Sequence, residues 1–274
     1  MNTNNIKILL VVVLYNQKLQ NTITYSSLLV NISEGVLVYD NSPTPQHVAT
    51  EAIMSGWKYV SDTTNGGISK AYNLAGKYAL ENGYNWMLFL DQDTIFSKNI
   101  LDEYKDVISR YEEIKLIAAP MKIGEKRYLS PVRVRFHMAR PAHSVPEGKV
   151  SLDKYSPINS GLAVNVVAFH EVGGYNENVR LDFSDYEFIR RFKKNYSYFY
   201  VLKSVCFQSF SNIVESNEQK LRRFDLFCDS LKNCEKNGWL DNVGFFSVVV
   251  KRMLALMWQT RSLKPVISVI INYF

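Results

Sequence analysis

The sequence predicts an α/β protein with a mostly parallel central sheet flanked by helices. Apolar runs rich in Val, Ile and Leu recur through the first half of the chain, and amphipathic stretches and polar turns separate them. Strands that alternate with helices are typical of βαβ units, which form parallel sheets. Ligands bind at the carboxyl ends of the strands in such sheets, so the polar residues after each run are the first candidates for a site. The predicted strands cover residues 6–14, 35–39, 57–60 and 86–90.

The composition is that of a globular protein in a reducing compartment. The chain has 274 residues, 47% of them hydrophobic, which is enough for one large domain or two small ones. The polar N-terminus lacks the basic region and the small-residue cleavage site of a signal peptide. Three late cysteines are too few for a disulfide framework, and none belongs to a CxxC pair. These features favour a cytoplasmic protein.

The fourth predicted strand ends in two carboxylates, Asp91 and Asp93, one residue apart. If the strand geometry continues, both side chains point to the same side of the sheet and Gln92 points away. Two carboxylates so close repel each other unless a cation lies beside them, and a hard divalent ion with oxygen ligands is the usual partner. The alternative is a solvated turn that carries two acids by chance.

A glycine-containing loop, Asn65, Gly66 and Gly67, joins the third predicted strand to the helix after it. Its glycines allow a close approach of the backbone, and a helix N-terminus favours an anion such as a diphosphate. A plain strand-to-helix turn explains the loop equally well. The sequence contains neither a P-loop nor a GxGxxG motif, which argues against a dinucleotide-dependent dehydrogenase.

The alternating pattern breaks off after a helix at 100–113 and a strand at 115–121. Residues 122–157 are rich in Pro, Gly, Arg and His and predict extended hairpins or a mobile loop, but His137 and His143 match no zinc-site spacing. A strand at 158–164 and a helix at 166–172 then resume the pattern. The following helix begins with acids, and Asp182 and Asp185 fit either helix capping or, beside a ligand cleft, a general base.

Taken together and in this order, these motifs resemble the family-2 glycosyltransferases, which have the GT-A fold. Such enzymes move a sugar from a nucleoside diphosphate sugar to an acceptor hydroxyl. The stretch Leu90-Asp91-Gln92-Asp93-Thr94 and the DxxDxE pattern around Asp185 look most like the rhamnosyltransferase-like branch, which uses dTDP-rhamnose. The matching motifs lie at 13–16, 38–42, 65–67 with Asn73, 91–93, 159–161, 173–177 and 182–187.

The resemblance implies roles for individual residues. Asp185 matches the catalytic base, while Asp91 and Asp93 match the residues that hold the diphosphate through Mg²⁺ or Mn²⁺, Asp93 being the more direct ligand. Where the family usually has a further His, this chain has Gln208, whose carbonyl oxygen is a weaker ligand for Mn²⁺ than imidazole. The implied donor-binding residues are Tyr15, Asn16, Asp40, Asn41, Asn65, Gly66, Gly67, Asn73, Asp91, Gln92 and Asp93, and the implied acceptor-binding residues are Asn159, Ser160, Gly161 and Asp182.

The implied reaction is a single displacement that inverts the anomeric centre. A nucleoside diphosphate leaves as a stabilised anion, so a metal that offsets its charge makes a general acid unnecessary. One base on the opposite face removes the proton of the acceptor hydroxyl. The resemblance divides the chain into a GT-A catalytic domain at 1–212, with a nucleotide-sugar half at 1–121 and an acceptor half at 122–212, and a helical extension at 213–274.

The C-terminal extension is basic and apolar. Between residues 219 and 264, nine basic residues stand against four acids, and Lys251 and Arg252 interrupt the apolar run at 243–258. Charges in its middle make this run a poor transmembrane span, so it favours either a helix at a membrane interface or a helix packed on the catalytic domain.

The expected partners are a nucleoside diphosphate sugar, a saccharide or lipid-linked acceptor in bacterial cell-surface polysaccharide biosynthesis, and the inner face of the membrane; no nucleic acid is expected. Two alternatives remain at this point. A nucleotidyltransferase would need an acid pair for two metals and a basic signature near the N-terminus, yet residues 15–36 contain Lys18 and no Arg. The second alternative is a non-catalytic module that binds sugar nucleotides.

Overall fold

A computed structural model describes residues 6–30, 32–46, 56–124, 127–135, 137–209 and 216–274. The predicted strand and helix order of the first half is confirmed, with shifts of a few residues at the ends. The strands are β1 Ile8–Leu14, β2 Gly35–Asp40, β3 Lys58–Ser61, β4 Trp86–Asp91, β5 Thr94–Ile95, β6 Leu116–Ala118, β7 Met121–Ile123, β8 Arg127–Arg135, β9 Met138–Ala142, β10 Gly148–Ser151, β11 Tyr155–Ser156, β12 Leu162–Asn165, β13 Tyr198–Val201 and β14 Cys206–Gln208. The helices are α1 Ile68–Glu81, α2 Ile100–Arg110, α3 Val166–Glu171, α4 Ser184–Phe192, α5 Asn217–Asn233, α6 Trp239–Thr260 and α7 Lys264–Asn272.

A sheet of eight strands forms the centre of the molecule, in the order β10-β13-β6-β12-β4-β1-β2-β3. Within the described residues, β1 runs parallel to β2 and β4, β2 to β3, and β13 to β6, whereas β12 and β10 pair antiparallel with their neighbours. The prediction of a mostly parallel sheet is therefore confirmed, with antiparallel strands confined to the half that contains β12 and β10.

Both faces of this sheet are covered, which explains why its strands are apolar without alternation. In β1, Leu10 and Val12 point into one hydrophobic cluster and Leu9 and Val11 into the other. Helix α2 covers the first face, and α1, α3 and α4 cover the second. Burying the four central side chains of β1 stabilises the fold by about 1.5–3 kcal/mol each.

The described parts of 122–157 supply most strands of a second sheet, in the order β11-β8-β7-β14-β5 with β9 paired to β8 as a hairpin, and β10 joins the large sheet. The expected hairpins are thus confirmed. The prediction of a single strand at 115–121 is wrong, because this range forms two strands: β6 belongs to the large sheet and β7 to the small one. Pro120 lies between them, and because proline has no N–H to donate, the chain changes sheet there.

The C-terminal extension forms three helices with a small core of its own. Helix α5 begins with a capping box in which Ser216 and Gln219 satisfy each other's backbone amides. Phe227, Phe245 and Val249 are buried in this core together with Val179, which comes from the segment before α4. The expected boundary at 212 and 213 falls in 210–215, outside the described residues, so the division into domains stays a prediction.

Candidate active site

The carboxyl ends of β1, β2 and β4 meet at one edge of the large sheet. The register pairs Leu14 with Asp40 and Val13 with Asp91, so the ends of β2 and β4 lie on either side of β1. Gln92 joins these ends, because its side chain accepts a hydrogen bond from the Tyr15 amide at 2.9 Å and donates one to the Tyr15 carbonyl at 3.3 Å. The backbone after β1 is therefore fixed beside Asp91 and Asp93.

Three carboxylates come together at this edge. Burial, together with the negative charges of Asp93 and Asp185, raises the pKa of Asp91 to about 7. Burial also raises the pKa of Asp93. The sequence suggested the first pair, but it gave no distance between that pair and Asp185, which lies more than 90 residues later.

Gln208 is in contact with Asp93. Strand β14 pairs antiparallel with β5 so that Gln208 lies opposite Thr94. Its amide nitrogen donates to Asp93 Oδ1 at 2.5 Å, and its carbonyl oxygen accepts from Thr94 Oγ1 at 3.0 Å. This hydrogen bond favours the ionised form of Asp93 and works against the effect of burial on its pKa. Gln208 therefore orients Asp93, and its expected direct metal contact stays a prediction.

The chemistry of the carboxylate pair fits a divalent cation. Asp91 and Asp93 are half-buried acids whose pKa values are raised, which is the state of carboxylates that lack a cationic partner. Within the described residues no group of three or more His, Cys, Asp or Glu is arranged to hold a metal ion. A hard cation held by Asp91 and Asp93 would take its remaining oxygen ligands from a bound diphosphate and from water.

Asp62 shapes the Asn65 loop, a role that the sequence did not indicate. Burial alone would raise the pKa of Asp62, but hydrogen bonds from Thr64, Tyr39 and Lys70 outweigh it and hold the pKa below its usual range. The Lys70 ammonium lies 2.9 Å from its carboxylate, and the Gly66 amide donates to the same oxygen at 3.3 Å. The position of Asp62 at a strand end was the available signal.

Gly67 brings this loop against the segment that precedes Asp182. Its φ of 92° suits glycine, and a Cβ at this position would lie 2.5 Å from the carbonyl oxygen of Arg180. The Ile68 amide donates to the same carbonyl at 2.9 Å. Asn65 also has a positive φ, of 51°. The glycine loop thus connects the expected donor side of the site with the expected acceptor side.

Several residues that the resemblance assigns to donor binding already have protein partners. Asp40 is buried and accepts hydrogen bonds from the Ser42 and Gln46 amides and from the Tyr59 hydroxyl. Asn41 accepts from the Gly67 amide at 3.3 Å. These side chains fix the loops after β2 and β3, and their contact with a nucleotide stays a prediction. Further protein contacts join Asn16 to Ser42, and Asn73 to Tyr175 and Glu177.

The expected acceptor residues Asn159, Ser160 and Gly161 are buried between the two sides of the site. Asn159 donates to Ser184 at 3.3 Å and accepts from the Tyr175 hydroxyl at 2.6 Å. Ser160 shares a hydrogen bond of 2.8 Å with Thr94. They therefore tie the end of β4 to the start of α4, and a direct contact with an acceptor stays a prediction.

Asp185 lies in the first turn of α4. The net effect of its surroundings raises the pKa of Asp185 to about 6. Burial and the charge of Asp182 raise the pKa, and a hydrogen bond from the Tyr186 amide, 2.7 Å from Asp185 Oδ1, lowers it. A carboxyl group with a pKa near 6 is ionised at neutral pH and is a stronger base than an ordinary aspartate. These are the properties of a general base.

A cavity of about 600 Å³ opens beside Asp182 and Asp185. The β8–β9 hairpin, the start of α4 and helix α6 form its walls, and most of the lining is apolar. Asp182 Oδ2 is buried and has no hydrogen-bond partner among the described residues. Lys251 and Arg252 bring positive charge to the cavity from a helix that lies outside the resemblance, so the sequence did not place them here.

His137 links α4 to the C-terminal extension. Its Nδ1 lies 3.1 Å from the Tyr186 hydroxyl, and its Nε2 lies 3.1 Å from Asp241, which also pairs with Arg190 at 2.5 Å. Burial and the Arg190 charge lower the pKa of His137, and the charge and hydrogen bond of Asp241 work against them. This histidine binds protein groups at the wall of the cavity.

Tyr72 is a further residue that the sequence did not single out. Its ring stacks on Phe89 with centroids 4.0 Å apart, and its buried hydroxyl has no hydrogen-bond partner among the described residues. Burial and the charges of Asp91 and Asp185 raise its pKa well above the usual range. A neutral phenol thus lies within electrostatic reach of two carboxylates at the site.

Glu187, the last acid of the DxxDxE pattern, has a structural role. Its carboxylate is buried and binds the Arg191 guanidinium through two hydrogen bonds of 2.7 and 2.8 Å. Arg191 also donates to the carbonyls of Val172 and Gly174. Together these contacts join α4 to the turn after α3.

Arg191→Ala is expected to lower the free energy of unfolding by about 3–5 kcal/mol, because it leaves the Glu187 carboxylate buried without a counter-charge. Lys77→Ala is the control, since it breaks an exposed pair with Glu81 at 3.9 Å and is expected to change stability by about 0.5 kcal/mol or less. Urea unfolding of the two variants measures the difference. Equal, small effects would contradict the structural role of the pair.

Comparison with known proteins gives one sequence relative and several structural ones. No family model matches the chain. Over 194 residues the chain is 29% identical to the dTDP-rhamnosyl transferase RfbF of Shigella flexneri, a match that covers 68% of this chain and 63% of that protein. The match thus spans less than two thirds of the relative's length.

The structural relatives have low sequence identity and the same fold. The crystal structure of residues 1–349 of Staphylococcus aureus TarS matches with a TM-score of 0.52 at 17% identity, covering 87% of this chain and 68% of TarS 1–349. The mannosyltransferase PcManGT of Pyrobaculum calidifontis, in complex with GDP-Man and Mn²⁺, matches with a TM-score of 0.55 at 12% identity, covering 96% and 73%. In fold and in sequence, the chain is thus similar to nucleotide-sugar glycosyltransferases of the GT-A type, with a rhamnosyltransferase as its sequence relative.

Proposed function

We propose that the protein is an inverting, metal-dependent glycosyltransferase that acts in bacterial cell-surface polysaccharide biosynthesis. The observation that carries the proposal is the grouping of Asp91 and Asp93 with Asp185. The first two lie at and just after the carboxyl end of β4, the kind of position where α/β proteins bind nucleotides, and the third lines the neighbouring cavity. A transferase needs these two features side by side, because donor and acceptor approach the reacting carbon from opposite sides.

On the donor side, the residues hold a nucleoside diphosphate sugar. Asp91 and Asp93 would hold Mg²⁺ or Mn²⁺, which would offset the charge of the leaving diphosphate. Gln208 orients Asp93, and the Asn65, Gly66 and Gly67 loop packs against the nucleotide. The relative in Shigella flexneri is a dTDP-rhamnosyl transferase, and this similarity favours dTDP-rhamnose as the donor.

On the acceptor side, Asp185 removes the proton of the attacking hydroxyl. Its carboxylate lines the 600 Å³ cavity, and Asp182 beside it raises its basicity. With no second nucleophile in the scheme, one displacement inverts the anomeric centre. The acceptor is a saccharide or a lipid-linked saccharide, and the reaction takes place on the cytoplasmic side of the membrane.

A second open cavity, of about 1010 Å³, adjoins the first at Val134 and favours an acceptor with negative charge. Two tyrosines in its lining lie beside cations: Arg133 is 5.4 Å from the Tyr155 ring centroid, and Lys149 is 5.1 Å from that of Tyr198. The cationic side chains in its lining are Arg133, Arg140, Lys149 and Lys154.

Thermal unfolding with a panel of donors tests the proposal. The panel is dTDP-rhamnose, UDP-galactose, UDP-N-acetylglucosamine and GDP-mannose, each with and without Mn²⁺. We expect dTDP-rhamnose with Mn²⁺ to raise the melting temperature most, since a ligand at 100 times its Kd stabilises the folded state by about 2.7 kcal/mol. A larger shift with another donor would correct the sugar nucleotide, and no shift with any donor would contradict donor binding altogether.

A further inference from the structure

Helix α6 exposes an apolar face to solvent. Trp258 is 84% exposed and Trp239 is 72% exposed, although the largest apolar side chains are ordinarily the best buried. The exposed residues recur at helical spacing, which places them along one side of the helix. They are Trp239, Leu240, Val243, Leu254 and Trp258.

Helix α7 continues this apolar surface. Ile267, Ile270 and Ile271 have the i, i+3, i+4 spacing of a single helix face, Phe274 follows just after the end of α7, and each of the four is more than half exposed. The two helices are in contact, and after α7 the Phe274 ring packs on Phe246 of α6 with centroids 5.7 Å apart. The exposed faces of α6 and α7 therefore adjoin, and we call them together the apolar face.

The charge around the apolar face has one sign. Residues 242–274 contain four basic residues, Lys251, Arg252, Arg261 and Lys264, and no Asp or Glu, and Asp241 at the start of α6 pairs with Arg190. Arg261 and Lys264, between α6 and α7, are exposed and lie outside the cavity that Lys251 lines. Apolar residues interspersed with exposed cations are typical of helices that lie in the headgroup region of an anionic membrane.

We propose that the apolar face docks the protein onto an anionic lipid surface, with α6 and α7 lying in the plane of the membrane. Among the described residues, no helix combines the length and the apolarity that crossing a membrane requires. An in-plane helix needs neither, because its polar side stays in contact with protein and water.

The same helix connects the apolar face with the candidate active site. On its other side, Val248, Lys251 and Ala255 line the cavity that contains Asp185. Docking therefore brings the acceptor cavity next to the lipid headgroups. This position suits an acceptor that is itself held in the membrane, but docking does not depend on the proposed sugar transfer.

A second copy of the chain is a less suitable occupant. In a twofold dimer the same patch faces itself, so Arg261 and Lys264 of one copy would come near the same cations of the other. Like charges brought together across an interface disfavour association. An anionic lipid surface satisfies these charges.

Sedimentation with vesicles tests the proposal on the full chain. We expect binding to vesicles of phosphatidylcholine with phosphatidylglycerol, and binding at least about tenfold weaker to phosphatidylcholine alone, because an anionic surface attracts the exposed Lys and Arg side chains. The double variant Ile267→Asp, Ile271→Asp and the double variant Arg261→Gln, Lys264→Gln are each expected to lower the affinity at least about tenfold. Val167→Asp is the control, since this exposed residue of α3 lies outside the apolar face.

The outcomes are distinct. Tight binding that both double variants lose and Val167→Asp retains supports the proposal. Absence of binding to anionic vesicles, or equal binding by all variants, overturns it. A wild-type dimer in light scattering that Ile267→Asp, Ile271→Asp converts to a monomer, without any vesicle binding, would assign the face to a second copy instead. The double variant Arg261→Gln, Lys264→Gln leaves the apolar side chains in place, so the test remains valid if the two aspartates of the other variant disturb the fold.

Discussion

Asp185→Asn is expected to abolish sugar transfer and to leave donor binding intact. General bases of this kind contribute about 10²–10⁴-fold to rate, and the amide is isosteric with the carboxylate but does not take up a proton. Asp185 Oδ1 accepts a hydrogen bond from the Tyr186 amide, a contact that the Asn carbonyl retains, so α4 is expected to keep its start. Initial rates with saturating donor, together with the donor Kd, measure the two effects separately.

The pH dependence of the wild-type rate checks the same assignment. Burial raises the pKa of Asp185 to about 6, and only the ionised form accepts the acceptor proton. We therefore expect the rate to fall as the pH drops through about 6 and to level off above it. Unchanged turnover by Asp185→Asn would discard the base, whereas loss of both turnover and donor binding would indicate a role on the donor side.

A non-catalytic module would behave differently from a transferase in this experiment. It would bind the nucleotide sugar, and neither wild type nor Asp185→Asn would turn it over. The raised pKa of Asp185 favours the transferase, because perturbed pKa values are typical of catalytic acids and bases.

The sequence predicted the large sheet well because its signal is local. Buried strands such as β1 and β4 are short apolar runs, and the helices between them carry their own spacing. The prediction that the polar residues at the carboxyl ends of β2 and β4 lie close together was correct, because parallel strands bring these ends to one edge of the sheet. The second sheet was less clear because its strands come from distant parts of the chain, and β14 reaches β7 across more than 80 residues.

The roles of the polar site residues show where sequence patterns are insufficient. Asp40, Asn73 and Asn159 all match the family pattern, yet the structure gives each of them protein partners. A motif residue can hold the backbone around a ligand as well as touch the ligand, and spacing alone does not separate the two. The sequence did not predict that α6 forms a wall of the cavity, because only tertiary packing brings Lys251 into the same lining as Asp185.

The grouping of three acids has an energetic consequence for the metal-free protein. The pKa of Asp91 is raised to about 7, so between its ordinary value and about 7 the folded state holds a proton that the unfolded state releases. The stability of the metal-free protein is therefore expected to decrease as the pH rises over this window. A cation at Asp91 and Asp93 replaces that proton, which couples metal binding to proton release.

Asp93→Asn is expected to remove metal-dependent donor binding. The substitution takes one negative charge from the carboxylate pair and leaves an amide oxygen, which is a poorer ligand for Mg²⁺ or Mn²⁺ than a carboxylate. The backbone of Asp93 keeps its hydrogen bond from the Ser209 amide at 3.0 Å, so the turn after β4 is expected to persist. Titration with dTDP and Mn²⁺ by calorimetry measures the loss, which we expect to be at least about 10-fold, since removal of groups that support a metal site costs about 10–100-fold in affinity.

Asp93→Asn is expected to weaken metal binding but not to lower the stability of the metal-free protein. The direction of the stability change therefore distinguishes a metal site from a structural turn. Asp93 raises the pKa of Asp91 by repulsion, so its neutralisation relieves that repulsion, and the free energy of unfolding at pH 7 is expected to stay equal or to rise. Asp102→Asn, at an exposed acid of α2, is the control and should change neither quantity. Lower stability together with unchanged metal binding would mean that Asp93 supports the turn and that the cation lies elsewhere.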